Sequence, residues 1–221
     1  MGLWDRGAPV LKGDAAAKSK ASRAPAKRRP AAPELRADAR RNRDKLIDVA
    51  APAFAEHGVA ASLEEIARRA GVGIGTLYRH FPTREHLVEA VYQHEVELLL
   101  AAAKELTHRG PPDVALEEWL LRFVGYMATK RGMAESLRLL YASNSAFFAK
   151  AFGLVPQALQ GLIEAAAASG TIRKDIQAPD LLQALSGIYS APNTPDWRER
   201  SVRLVRLLMD GLRTGGRKTR R

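Results

Sequence analysis

The 221 residues allow one compact domain or two modest ones with a real core, and the absence of cysteine excludes a disulfide scaffold, thiolate catalysis and cysteine zinc sites. There is no apolar run of about 18 residues, so no membrane-spanning helix is expected; the basic N-terminus lacks the apolar stretch of a secretory signal, and a cytoplasmic protein is expected. The net charge of +11 sits at the ends: residues 1–43 carry twelve Lys/Arg against four Asp/Glu, residues 214–221 add four basic residues, and the remaining body is near neutral.

Residues 1–40 are rich in Ala, Pro, Lys and Arg. Such a segment cannot bury enough apolar area to offset its ordering entropy, and it reads as a disordered basic arm. Like the tail at 214–221, it would bind phosphate backbones by counterion release without reading sequence. A merely solubilising role fits the same composition.

Beyond the arm nearly every segment has helical periodicity, and the expected fold class is all-α. The first helix is predicted over about 37–57, with Leu46, Ala50, Ala53, Phe54 and His57 on one face. Pro52 lies inside it and should kink it by removing the hydrogen bond to the Asp48 carbonyl. Gly58 is a plausible stop. The second helix opens on a capping box, Ser62-Leu63-Glu64-Glu65, in which the Ser62 hydroxyl and the Glu65 carboxylate each satisfy an orphan N–H. Leu63, Ile66, Ala67 and Ala70 follow as a stripe, Gly71 turns the chain, and Val72 plugs the angle to the next helix.

The third helix is short, about 73–81, with Leu77 and Phe81 inward and Pro82 as its stop. Thr83 should cap a long fourth helix carrying Leu87, Val88, Val91, Tyr92 and the run from Leu98 to Leu100. After Gly110-Pro111-Pro112 come four or five helices, at about 113–131, 133–151, 154–169, 178–190 and 196–213. Gly132, Gly153, Gly170 and the Pro192-Asn193-Thr194-Pro195 turn separate them. Ser143, Asn144 and Ser145 form a polar island that reads as a helix break.

Two short helices joined through Gly71-Val72 suit a helix-turn-helix at about 62–81, whose second helix lies in the major groove. That helix must be free of bulk near its start, as Gly73, Ile74, Gly75 and Thr76 allow. Tyr78, Arg79 and His80 can donate to phosphates or base edges.

The ordered stretch Ile66-Ala67-x-x-Ala70-Gly71-Val72, then Gly75-Thr76-Leu77-Tyr78-x-His80-Phe81, resembles the signature of the TetR family of transcriptional regulators. Upstream Ala50-Ala51, Phe54, Ala55 and Gly58 are similar to the family's first helix. The resemblance covers about 41–96, and 41–97 is taken as the DNA-binding domain. It implies phosphate contacts for Ser62, Tyr78, His80 and Arg84, the last standing where the family usually has Lys. Base edges would be reached from Ile74, Gly75, Thr76 and Arg79. Gly73 departs from the usual Ser and gives up a hydroxyl contact.

The resemblance also implies that residues 98–213 bind an unidentified small-molecule effector and pair two chains. Expected pairing residues are Leu181, Leu185, Ile188, Val202, Val205, Leu208, Met209 and Leu212, which recur at helical spacing, although the same pattern serves a monomer core. Candidate pocket residues are Trp119, Phe123, Tyr126, Met127, Leu140, Phe147, Phe148 and Tyr189; a plain core explains each equally well. The partners implied are double-stranded DNA, a second copy of the chain and the effector, with no membrane.

No cofactor or metal is expected. The histidines form no His-x-x-x-His pair, Gly71-Val72-Gly73-Ile74-Gly75 lacks the dinucleotide spacing, and no Gly-x-Ser-x-Gly elbow exists. The leading expectation is a homodimeric repressor released from a palindromic operator by an effector. An architectural or global DNA-binding regulator without a ligand is the alternative, and an enzyme is not expected.

Overall fold

The computed structural model describes residues 32–143, 145–190 and 196–214. Among them the chain forms α1 (Ala32–His57), α2 (Leu63–Arg69), α3 (Ile74–His80), α4 (Arg84–Leu106), α5 (Pro112–Gly132), α6 (Ala134–Ser143), α7 (Ser145–Ala168), α8 (Ala178–Ser190) and α9 (Trp197–Leu212), with a 3-10 turn at Gly58–Ala60. The fold is all-α, as its periodicity requires; an isolated bridge pairs Ile172 with Arg213.

Two helix boundaries differ from expectation. α1 starts at Ala32, so residues 32–40 of the segment read as disordered are helical. Ala, Glu, Leu and Arg there are strong helix formers, and a proline in the first turn loses no hydrogen bond. Residues 1–31 and 215–221 of the basic ends, and the 192–195 turn, lie outside the described residues. α1 also remains helical through the exposed Pro52.

The break expected at Gly153 does not occur, because α7 runs through both Gly153 and Pro156. One helical glycine costs only about 1 kcal/mol, and continuing the helix buries Val155, Leu159, Leu162, Ile163 and Ala166. α6 ends at Ser143 and α7 begins at Ser145, and Asn144, the centre of the expected break, lies outside the described residues.

α4 is the spine. It packs against α1 on the N-terminal side and against α5 and α7 on the C-terminal side. Its buried residues run from Leu87 to Leu106, so the boundary expected at 97/98 falls inside one continuous helix. α5 supplies Leu116, Trp119 and Leu120, all fully buried. The Trp119 indole N–H donates to the Leu99 carbonyl at 3.0 Å, which removes the cost of burying it.

The C-terminal end of α9 is clamped. Arg213 donates to Asp113 at 2.9 Å and Glu117 at 2.7 Å, both on α5, and these carboxylates hold its guanidinium pKa above the usual value. Arg173 N–H donates to the Leu212 carbonyl and Thr214 N–H to the Thr171 carbonyl.

α1 and α5 meet backbone to backbone. Gly58 adopts φ +55°, and a Cβ there would lie 3.3 Å from the Gly132 carbonyl oxygen. A Cβ on Gly132 would overlap the Phe54 carbonyl of α1. Glycine at 132 is therefore what lets the end of α5 touch the end of α1.

Candidate nucleic-acid interface

Local hydrogen bonds set the ends of α2 and α3, and their inner faces are buried. Ser62 is the N-cap of α2, and its Oγ accepts from Glu65 N–H at 3.3 Å. Only that half of the expected capping box forms. The Glu65 carboxylate does not return to Ser62; it takes a two-pronged bond from Arg68 at 2.7 and 2.8 Å, which lowers its pKa. The Ser62 hydroxyl donates to Glu64 at 2.9 Å. The Glu64 carboxyl is also held below its usual range, first by its own backbone N–H and then by Ser62.

At the other end of α2, Gly71 takes φ +71°. Its N–H donates to the Arg68 carbonyl at 3.1 Å, and Val72 N–H to Ala67 at 3.0 Å. This pair of bonds is a Schellman stop, which needs a left-handed residue that glycine adopts without strain. Val72 packs half-buried against the core, as expected.

α3 begins at Gly73, whose carbonyl accepts from Thr76 and Leu77. Its inner side is closed by Leu77 and by Phe81 just beyond its end, both almost fully buried. Its outer side carries exposed Gly73, Ile74, Gly75, Tyr78 and Arg79, while Thr76 and His80 are half-buried. A Cβ added at Gly73 or Gly75 would meet nothing within 4 Å, so the start of α3 is open to a groove. His80 leans on the Phe81 ring, centroids 6.3 Å apart.

Two expected features are corrected. Arg84 does not project outward: it is half-buried, donates to the Ala61 carbonyl and lies 5.8 Å from the Phe54 ring centroid. It ties the start of α4 to the loop before α2, and the pull is a backbone carbonyl 23 residues away. Thr83 is the N-cap of α4 by position, but its hydroxyl pairs with His86 Nδ1 at 3.0 Å and caps no backbone N–H. Sequence reasoning missed Arg43, which is exposed on α1 and stacks 5.5 Å over the Phe81 ring at the end of α3. The signal was present: Arg40, Arg41, Arg43 and Lys45 cluster at the exposed end of the helix that braces the motif.

The expected pocket residues form packed core where they are described. Trp119 stacks on Phe123 at 5.4 Å, Phe123 meets Tyr126 at 5.5 Å, and Tyr126 meets Tyr92 at 6.2 Å. All four rings are buried, and burial raises the Tyr92 phenol pKa. Met127 and Leu140 pack half-buried against the same core. The side chains of Phe147, Phe148 and Tyr189 lie outside the described residues. Tyr126 is the one described member of the set that lines the cleft of about 420 Å³ found beside α1.

The expected pairing residues divide. Leu181, Leu185, Val205, Met209 and Leu212 are buried within a single chain, so they have no area left for a partner and serve its own core. Val202 and Leu208 are half-buried, and the Ile188 side chain lies outside the described residues. The apolar residues α9 does expose are Leu204 and Leu207, at 37% and 67%. Among the described residues no group of three His, Asp or Glu side chains is placed to hold a metal ion, and no helix is long and apolar enough to cross a membrane.

A short helix with an open outer face, seated on a capped bracing helix, defines a helix-turn-helix DNA-binding protein. Comparison with known proteins agrees. Residues 46–91 match the family described as bacterial regulatory proteins, tetR family, and residues 111–214 match the C-terminal domain of SbtR-like transcriptional regulators. The structure is similar to that of the TetR transcriptional regulator SCO0520 from Streptomyces coelicolor: 46% identity, 77% of this chain and 98% of that one covered, TM-score 0.70. It is also similar to a TetR transcription regulatory protein from Mycobacterium vanbaalenii: 34% identity, 81% and 99% covered, TM-score 0.65. An HTH-type transcriptional regulator of Staphylococcus aureus is 36% identical over 73 residues, a match spanning 33% of this chain and 40% of that relative. The chain belongs to the TetR family of transcriptional regulators, and is a DNA-binding regulator rather than an enzyme.

Proposed function

We propose that this chain is a cytoplasmic homodimeric repressor that grips a palindromic operator and releases it when a small molecule binds its C-terminal half. The observation that carries the reading is the outer face of α3. Tyr78 and Arg79 project from it and its first turn is bare, so the helix end can approach base edges closely. Tyr78 is assigned to phosphate, and Ile74, Thr76 and Arg79 to bases; Arg43 adds a second phosphate anchor, while Arg84 supports the motif from within.

Pairing is assigned to the outward sides of the last two helices. Leu204 and Leu207 of α9 are exposed, and so are the small Ala184 and Gly187 of α8. Two such helices from each chain make a four-helix seam related by a two-fold axis. That symmetry sets the two α3 helices about 34–36 Å apart, one turn of DNA. Leu207→Glu is expected to halve the mass seen in sedimentation while leaving each chain folded.

The deciding experiment is fluorescence anisotropy on DNA from upstream of the chain's own gene, against a scrambled duplex, at two salt concentrations. Preference for the upstream DNA at two chains per site supports the reading. Equal, salt-steep binding to both duplexes favours an architectural regulator held by its basic ends.

A further inference from the structure

The cleft of about 420 Å³ lies where the two halves of the chain join, bounded by α1, α4, α5 and the start of α9. Its volume is within the range of small-molecule sites, roughly 300–1,000 Å³. Pro52 and Ala55 of α1 form one wall, Leu98 of α4 and Tyr126 of α5 another. Glu95 stands among them, half-buried.

No hydrogen bond or ion pair reaches the Glu95 carboxylate among the described residues, and the charge that acts on it is His94. His94 itself faces Asp48 at 3.5 Å. Burial pushes the Glu95 carboxyl above its usual range. The other charges on the cleft are differently placed. Arg122 is committed to Glu118 at 2.7 Å and Glu105 at 3.8 Å, whereas Arg198 has no ion pair among the described residues but is exposed, so its charge bears little desolvation. The unfavourable group is therefore the carboxylate, and a cation that enters the cleft offsets its desolvation.

We propose that this cleft is a binding site for a small organic monocation with an apolar body, its charge against Glu95 and its body against Pro52, Leu98 and Tyr126. The occupant touches α1 of the DNA-binding half and α4, α5 and α9 of the C-terminal half, so it bears on the spacing between them. Its effect on DNA rests on the effector-release reading above; its binding does not.

The test is isothermal titration of the full-length chain, free of DNA, with three probes of one shape: 4-phenylbutylamine as its ammonium ion, neutral 4-phenylbutanol and anionic 4-phenylbutyrate. The ammonium is expected to bind about tenfold more tightly than the alcohol, with the butyrate weakest. Glu95→Gln should erase the difference between ammonium and alcohol while the protein melts at the same temperature or higher. Gly125→Leu projects into the same cleft, where a Cβ meets nothing within 4 Å, and should abolish binding of the ammonium. Preference for the butyrate, equal binding of all three, no binding by any, or indifference to both substitutions overturns the site. Binding that leaves a DNA complex intact would uphold the site and overturn the effector-release reading instead; a chain released by other compounds but blind to the ammonium would do the reverse.

Discussion

In the helix-turn-helix, two seven-residue helices have their ends set by a serine cap, one left-handed glycine and a few backbone hydrogen bonds. In the C-terminal half, longer helices are held by facing apolar surfaces and by a column of contacting rings from Trp119 to Tyr92, stacked at Trp119–Phe123 and tilted beyond it. The first region presents its chemistry outward from short helices whose inner sides are sealed by Ile66, Leu77 and Phe81. The second keeps Trp119, Phe123, Tyr126 and Trp197 inside. Local bonds fix where a helix begins and ends, whereas apolar surfaces fix only which elements touch, and that difference decides what each region can tolerate.

Substitutions that strike the bundle should therefore cost most stability, and those that strike the α3 face should cost affinity alone. Trp119→Ala is expected to lose about 4 kcal/mol in urea unfolding, since it empties a fully buried site at one end of the ring series and strips a partner from the Leu99 carbonyl. A loss under about 1 kcal/mol would mean that the column collapses freely and the contrast is overstated. Gly132→Ala should cost about 3 kcal/mol, because the new methyl meets the Phe54 carbonyl. Gly125→Ala, two turns back on the same helix where a Cβ meets nothing within 4 Å, should instead be neutral or stabilising by up to about 1 kcal/mol.

On the outer face, Tyr78→Ala should weaken binding to every duplex by about tenfold with the melting temperature unchanged, whereas Arg79→Ala should alter the ranking of sites. Anisotropy against a small set of operators separates the two; identical effects would erase the division between phosphate and base contacts. Glu64→Gln is the mildest change. Its carboxylate sits beside Ser62, where phosphate would approach, so removing the charge should tighten binding roughly twofold and reduce its salt dependence little.

The same contrast explains what was legible in the sequence. Ser62, Gly71 and Pro82 mark helix ends through chemistry local to each residue, so the motif and its inward Leu77 and Phe81 could be placed from sequence. Arg84 could not, because its destination is a carbonyl brought near only by folding. The faces of α9 could not be sorted either. One stripe, Val205, Met209 and Leu212, is covered by its own chain, while Leu204 and Leu207 are exposed, and both stripes are apolar at helical spacing. The aromatic residues of α5 posed the same ambiguity, since a ring lining a cavity and a ring filling one leave the same pattern. The cleft at Glu95 was missed because its walls come from four helices, which sequence spacing does not bring together.

The glycine contact between α1 and α5 has a mechanical meaning. Side chains between two helices act as a cushion, changing rotamer to absorb a small rotation. Gly58 and Gly132 leave no cushion, so the two helices behave like levers resting on one pivot. From Gly58 back to Arg43 is about 22 Å at 1.5 Å per residue, so a tilt of about 5° at the pivot swings Arg43 through about 2 Å. In the proposed dimer, doubling that across the two-fold axis would take a pair of recognition helices out of step with successive turns of DNA.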